Sequence, residues 1–238
     1  RREKLGSIEF KDTTYRYPEA DLDTLRSINL SVNEGEKVAI LGRNGSGKST
    51  LMKLASGLFK ASDGLVMYDG VDIKQLHTDD LSRSIGIVLQ DVQLFSGSIR
   101  ENITMGRQDI NQDDLINAGK LSGLDDFVSK IPGGYDLQLS DGGKGLSGGQ
   151  RQSIALARAI VHKPSHFILD EPTSAMDMNA ENIFISQMSS IMQDTTMLIV
   201  THRMPLLNLV DRIIVMNEGQ IVEDGPKEEI INKLNQPR

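Results

Sequence analysis

Gly42-Arg43-Asn44-Gly45-Ser46-Gly47-Lys48-Ser49-Thr50 leaves this chain few folds to choose from. The segment follows the apolar, strand-like run Lys37 to Leu41 and opens a helical pattern from Lys48 to Leu58. That is the strand–loop–helix setting a GxxxxGK(S/T) phosphate loop requires. The glycines let backbone N–H groups converge on a phosphate, and the helix N-terminus adds positive potential. In such a loop Lys48 reaches the β- and γ-phosphates of a nucleotide, and the Ser49 hydroxyl ligates Mg²⁺.

The flanking pattern agrees. Strand-like segments rich in β-branched and aromatic residues run from Ser7 to Tyr17, Ser27 to Val32, Gly64 to Tyr68, Ser84 to Leu89, His166 to Asp170, Thr196 to Thr201 and Arg212 to Met216. Helical patterns cover Ser147 to Val161 and Ala180 to Met192. Strands alternating with helices predict an α/β core with a mainly parallel sheet, and the short consecutive early strands predict an antiparallel β part beside it. The stretch from about Asp91 to Lys144 holds short helical patterns (Ile99 to Ile103, Gln112 to Leu121, Leu124 to Ile131) and no convincing strand. It reads as a helical subdomain, 91–150, inserted between core segments 1–90 and 151–238.

Composition narrows the function classes. Asp and Glu number 33 against 26 Lys and Arg, a net charge of −7, and the basic residues are scattered. This argues against nucleic acid as a main partner while leaving room for a nucleotide at a local site. Cysteine is absent, so there is no disulfide framework and no Cys-based metal site. No apolar run of about eighteen residues spans a membrane. Arg1-Arg2-Glu3-Lys4 carries no signal peptide, and a start on Arg rather than Met raises the expectation of an upstream portion.

A second motif completes the phosphate loop. His166-Phe167-Ile168-Leu169-Asp170-Glu171 is an apolar strand ending in two carboxylates. Asp170 would hold Mg²⁺ through water, and Glu171 would act as general base toward the attacking water. A third, Leu146-Ser147-Gly148-Gly149-Gln150, places a serine and two glycines at the N-terminus of a helix, a second anion site.

With this third motif the chain resembles the ABC ATPases, whose signature sequence it matches in order and spacing. The resemblance covers nearly the whole chain and implies the ABC ATPase fold: a P-loop core, an antiparallel β subdomain and an inserted helical subdomain. It implies ATP and Mg²⁺ as ligands, and two copies meeting head to tail. Ser147, Gly148, Gly149 and Gln150 would then act in trans on the γ-phosphate held by the other copy. Tyr17 in Tyr15-Arg16-Tyr17-Pro18 matches the aromatic that stacks on adenine, with Tyr15 the second candidate. Gln90, at the entry to the helical segment, matches the glutamine that touches Mg²⁺ and the attacking water. Asp177 matches the D-loop aspartate and His202 the switch histidine. His77, His162 and His166 match nothing and read as surface or packing residues. Two departures stand out: Met176 where leucine is commoner, and Leu139 to Gly145 in place of the exporter pattern Gly-Glu-Arg-Gly, with Asp141 standing in for the glutamate.

Ile8 to Lys11, Tyr17-Pro18, Asp91 to Ile103 and Ala155 to Ala159 look like exporter ATPases, in which the ATPase follows the membrane domain in one polypeptide. Gly42 to Gly47 and Asp170 to Asp177 look most like type I secretion ATPases, which export RTX toxins and adhesins. That resemblance implies a site on the cytoplasmic face of the bacterial inner membrane, a transmembrane domain upstream, and indirect links to a periplasmic adaptor and an outer-membrane channel. Lipid, drug and bacteriocin exporters are the runners-up. A soluble ABC ATPase acting on DNA or ribosomes fits less well, lacking both coiled coil and second cassette. A degenerate, non-hydrolysing cassette conflicts with intact Glu171 and His202.

Overall fold

Strands apolar along their whole length are stable only with both faces covered. Lys37 to Leu41, His166 to Asp170 and Thr196 to Val200 are such strands, and they form the centre of the molecule. The computed structural model describes residues 6–235. Its strands are β1 (Ile8–Tyr15), β2 (Leu25–Val32), β3 (Lys37–Gly42), β4 (Asp63–Tyr68), β5 (Val71–Asp72), β6 (Ile85–Val88), β7 (Gly97–Ser98), β8 (Gln138–Leu139), β9 (His166–Asp170), β10 (Thr196–Val200), β11 (Arg212–Asn217) and β12 (Gln220–Pro226). Its helices are α1 (Lys48–Ala55), α2 (Thr78–Ser84), α3 (Ile99–Thr104), α4 (Gln112–Leu121), α5 (Asp125–Val128), α6 (Gly148–Ile160), α7 (Met178–Ile191) and α8 (Lys227–Asn235).

One sheet runs in the order β12-β11-β3-β10-β9-β6. All its pairings are parallel except β11–β12. Because side chains alternate across a strand, each central strand feeds two cores. Phe167, Leu169, Met197 and Ile199 join α6 and α7 on one face. Val38, Ile40, Ile168, Leu198 and Val200 join α1 and the antiparallel sheet β2-β1-β4-β5 on the other. No helix among the described residues is long and apolar enough to cross a membrane.

Three expectations need correction. The helix expected from Lys48 to Leu58 stops at Ala55. Gly57 turns left-handed there (φ 75°) and its N–H bonds back to Leu54, a glycine stop of the usual kind. The helical stretch was expected to lack strands, yet β7 and β8 pair antiparallel, Gly97 with Leu139 and Ser98 with Gln138. A two-residue strand has too little pattern to be legible. The strand expected from Ser7 to Tyr17 ends at Tyr15, which leaves Tyr17 on the loop beyond the sheet.

The histidines without a motif are structural or exposed, as expected. His166 is fully buried, edge-on to Tyr68 with ring centroids 5.0 Å apart, and its Nε2 lies 3.0 Å from the Gly6 carbonyl. Burial pushes its pKa down to about 4. The unfolded chain takes up this proton near pH 6.5 and the folded chain not until about 4, so this contribution to stability is lost as pH falls through that window. Urea unfolding at pH 7 and at pH 5 should show a smaller drop in stability for His166→Gln than for the unsubstituted chain. An identical drop would remove His166 from the acid response.

Candidate active site

In a parallel sheet the carboxyl ends of the strands share one edge, and ligands bind there. Register makes the alignment close. Gly42 stands beside Met216 and Ile40 beside Val200, which in turn faces Asp170. The phosphate loop leaves β3, the carboxylates end β9, His202 follows β10 and Gln90 follows β6. Motifs spread over more than half of the chain therefore converge on one cleft of about 640 Å³, whose lining includes Asn44, Gly45, Gly47, Lys48, Ser49, Thr50, Gln90, Asp170, Glu171 and His202. Gly42, Arg43 and Ser46 complete the loop behind it.

The loop needs its glycines. Gly47, which caps α1, has φ 99°, and a Cβ there would lie 2.6 Å from Leu25 Cδ2. Lys48 is buried, and its Nζ donates to the carbonyls of Gly42 (2.8 Å) and Arg43 (2.9 Å) and lies 3.4 Å from Ser46 Oγ. Burial pulls the ammonium pKa down, against the charges of Asp170 and Glu171. The charged amine is thus held inside the ring of backbone that a phosphate would enter.

Asp170 is buried, with Oδ1 lacking any hydrogen-bond partner. Burial raises its pKa, opposed by the Ser49 hydroxyl and by Lys48. A buried carboxylate oxygen left unpaired beside a hydroxyl fits a hard cation such as Mg²⁺, which takes oxygen ligands and keeps several waters. Ser49 and Asp170, with Gln90 on the same wall, are the residues suited to hold it.

Glu171 adopts φ 50°, a left-handed conformation that costs a non-glycine residue of order 1–3 kcal/mol. Its N–H donates to Val200 O (2.9 Å). His202 Nε2 stands 3.3 Å from Glu171 Oε1, within range for charge attraction but off the line of a hydrogen bond, so that oxygen has no partner. Burial raises the Glu171 pKa, with His202 and Lys48 pulling the other way and Asp170 adding to the rise. The direction of that shift makes the carboxylate a better proton acceptor than a solvated one.

Tyr15 and Tyr17 separate cleanly. Tyr15 is buried and stacks on Phe59 with centroids 5.2 Å apart. Tyr17 is 36% exposed, meets Tyr15 edge-on at 5.1 Å and shares a 3.1 Å hydrogen bond with Thr50 Oγ1 on α1. Only Tyr17 combines an open ring with a tether to the phosphate-loop helix.

Ser147, Gly148, Gly149 and Gln150 do not line this cleft. They begin α6 in a separate groove beside Ala175, Met176 and Asp177. Ser147 is the N-cap, Gln150 N–H donating to Ser147 Oγ (3.1 Å) and Ser147 N–H to Gln150 Oε1 (2.8 Å). A Cβ on Gly149 would lie 3.3 Å from Ala175 O, so the helix end packs closely on the segment before Asp177. Asp177 itself caps α7 through Ala180 N–H (2.8 Å). Asp141, expected to replace a glutamate, has a side chain outside the described residues.

The chain belongs to the ABC transporter family. Residues 25–174 match that family. The chain is 41% identical over 226 residues, 95% of its length, to the cyclolysin secretion/processing ATP-binding protein CyaB of Bordetella pertussis. It is 43% identical over the same span to the leukotoxin export ATP-binding protein LtxB of Aggregatibacter actinomycetemcomitans, and 42% identical over 230 residues to the leukotoxin translocation ATP-binding protein LktB of Mannheimia haemolytica. It spans about a third (32%) of the length of each. Over 97% of the chain and 40% of the other, the fold matches a bacterial Atm1-family ABC exporter with ATP bound, at 31% identity and a TM-score of 0.89.

Two residues of this ABC chain escaped the sequence. Arg203 Nη1 pairs with Glu181 Oε1 (3.1 Å), and its Nη2 donates to the carbonyls of Ser174 and Met176. Thr173 Oγ1 donates to the same Glu181 oxygen at 2.7 Å. Gln152 on α6 is 3% exposed and reaches the segment after Glu171. Its one signal was a polar residue on the apolar stripe that continues through Leu156 and Ala159.

Arg203→Ala leaves the Glu181 carboxylate, 5% exposed, without its ion pair, a loss of roughly 2–4 kcal/mol after allowing for the partly exposed arginine. Glu181→Gln keeps an acceptor for Thr173 and frees an arginine that water can reach, and should cost less. Denaturant unfolding that ranks the two in the opposite order would contradict this.

Proposed function

We propose that this chain is the ATP-hydrolysing domain of a type I protein secretion exporter, and that it works as one half of an ATP-sandwich dimer. The observation that carries the reading is the division of the motifs between two places. Lys48, Ser49, Gln90, Asp170, Glu171 and His202 share one cleft, whereas Ser147 to Gln150 face another groove of the same chain. A signature helix turned away from its own phosphate loop is available to a second copy, related head to tail.

In this reading the β- and γ-phosphates take the loop amides and Lys48 Nζ, which exchanges loop carbonyls for phosphate oxygens. Mg²⁺ held at Ser49 and Asp170 would neutralise charge on the β- and γ-phosphates. Glu171 Oε1, unpaired, takes the proton of the attacking water, and His202 orients that carboxylate and meets the γ-phosphate. Adenine stacks on Tyr17. The stretch 91–150 acts as the helical subdomain, entered at Gln90, within one ABC ATPase domain. The names of the relatives given above, toxin secretion, export and translocation ATP-binding proteins, support protein cargo, and the exporter resemblance supports a transmembrane domain upstream and a position on the cytoplasmic face of the bacterial inner membrane. The periplasmic adaptor and outer-membrane channel of a type I system would be reached indirectly.

Glu171→Gln keeps the shape of the base but cannot accept the proton. Turnover should fall roughly 10²–10⁴-fold, and the ATP-bound dimer should persist on size-exclusion chromatography while the unsubstituted chain with Mg²⁺ and ATP runs mostly as monomer. Adding Ser147→Arg fills the anion site and should abolish that dimer. A Glu171→Gln protein that stays monomeric at saturating ATP contradicts the sandwich.

Tyr17→Ala should weaken ATP affinity about tenfold or more, the worth of a stacked base. Tyr17→Phe keeps the ring, loses only the bond to Thr50, and should cost far less. If titration of a fluorescent ATP analogue finds Tyr15→Ala the more damaging of the alanine variants, the stacking assignment moves to Tyr15.

A further inference from the structure

Glu171 is the strained residue of the site, and its strained backbone is held from outside its own strand. Its carbonyl accepts Gln152 Nε2 at 3.0 Å and Ser174 N–H at 3.2 Å. The same Nε2 lies 3.3 Å from Ser174 Oγ, and Gln152 Oε1 accepts Ala175 N–H at 3.1 Å. One buried amide therefore grips both ends of the turn Glu171 to Ala175. A left-handed glutamate whose carbonyl keeps only the Ser174 N–H is freer to relax toward ordinary backbone, and such a rotation would shift the carboxylate relative to His202.

We propose that Gln152 is a positioning residue for hydrolysis: its side-chain amide locks the backbone of Glu171, so that the carboxylate points at the attacking water. The proposal rests on the reading of Glu171 as general base. It adds a mechanical link that none of the motif residues provides. Gln152 sits on α6 five residues after Ser147, about 7–8 Å along the helix axis. The helix that offers its N-terminus to the second copy thus holds the base of its own chain. A tilt of α6 on meeting the partner's γ-phosphate would be felt at Glu171 without any contact between the two nucleotides.

Two variants separate this role from packing. Gln152→Glu keeps the length and the acceptor for Ala175 but withdraws the N–H donor from the Glu171 carbonyl. Gln152→Met keeps the volume and withdraws both. In each, kcat should fall about tenfold or more while KM for ATP and the dissociation constant for an ATP analogue stay within about twofold, because the phosphate loop is untouched and a small misplacement of a catalytic group is costly. Melting curves report whether the variants fold. Folded variants with kcat within about twofold of the unsubstituted chain would overturn the proposal, and so would a loss of kcat matched by an equal loss of ATP binding, the mark of a general structural defect. A measurement on the unsubstituted chain stands even if neither variant folds. Deuterium exchange of the Gln152 side-chain NH₂ by NMR should be slow, and exchange as fast as that of exposed Gln220 would mean the grip does not persist. Glu171→Gln keeps the two readings apart. If Glu171→Gln hydrolyses ATP normally, the general-base assignment fails. If it is inactive while both Gln152 variants turn over normally, only the positioning role fails.

Discussion

Parallel pairing of β3, β10 and β9 is the constraint on which the rest of the structure depends. Register sets Val38 beside Leu198 and Leu198 beside Ile168, so the three strands end at nearly the same height. A shift of one residue would invert which side chains face which core. It would also carry Asp170 and Glu171 away from the phosphate loop. The site is precise because two hydrophobic cores, one on each face, forbid that slip. Burial of Phe167, Leu169, Met197 and Ile199 on one side and of Ile168, Leu198 and Val200 on the other is what holds a few polar groups in line.

The electrostatics of the cleft follow from the same burial. Water is largely excluded from Lys48, Asp170 and Glu171, and the chain does not balance their charges with close ion pairs. Lys48 is spent on loop carbonyls, Asp170 Oδ1 has no partner, and Glu171 Oε1 has a histidine beside it but no hydrogen bond. Unpaired buried oxygens are destabilising in a resting protein. Their presence together at one strand end is the cost the proposed chemistry would offset, each oxygen being placed where a group arriving with the ligand could satisfy it.

Much of this was legible in the chain, and the residues show why. Strands buried on both faces write themselves as unbroken apolar runs, so β3, β9 and β10 were found almost to the residue. Glycine at forced positions and charged residues at strand ends made the phosphate loop and the carboxylate pair readable. What stayed hidden depended on distant partners. β7 and β8 exist only because segments some forty residues apart meet at Gly97 and Leu139. Tyr15 and Tyr17 are interchangeable as letters. They differ because β1 ends between them, burying one against Phe59 and leaving the other at the rim. Gln152 and Arg203 carry no motif of their own, and their work lies in hydrogen bonds to backbone, which no residue pattern records.

The reciprocal cap at the start of α6 has a directional consequence. Ser147 Oγ and Gln150 Oε1 each spend a lone pair inward on the other residue's N–H. What remains facing outward is a hydroxyl proton, the Gln150 amide protons and the first N–H groups of the helix. The start of α6 thus leads with donors, while the carboxylate of Asp177 stands in the same groove and gives it an acceptor as well. In the proposed dimer, association through this end would therefore wait on an anion to meet the helix amides, and the acid beside them would set how that anion must be oriented.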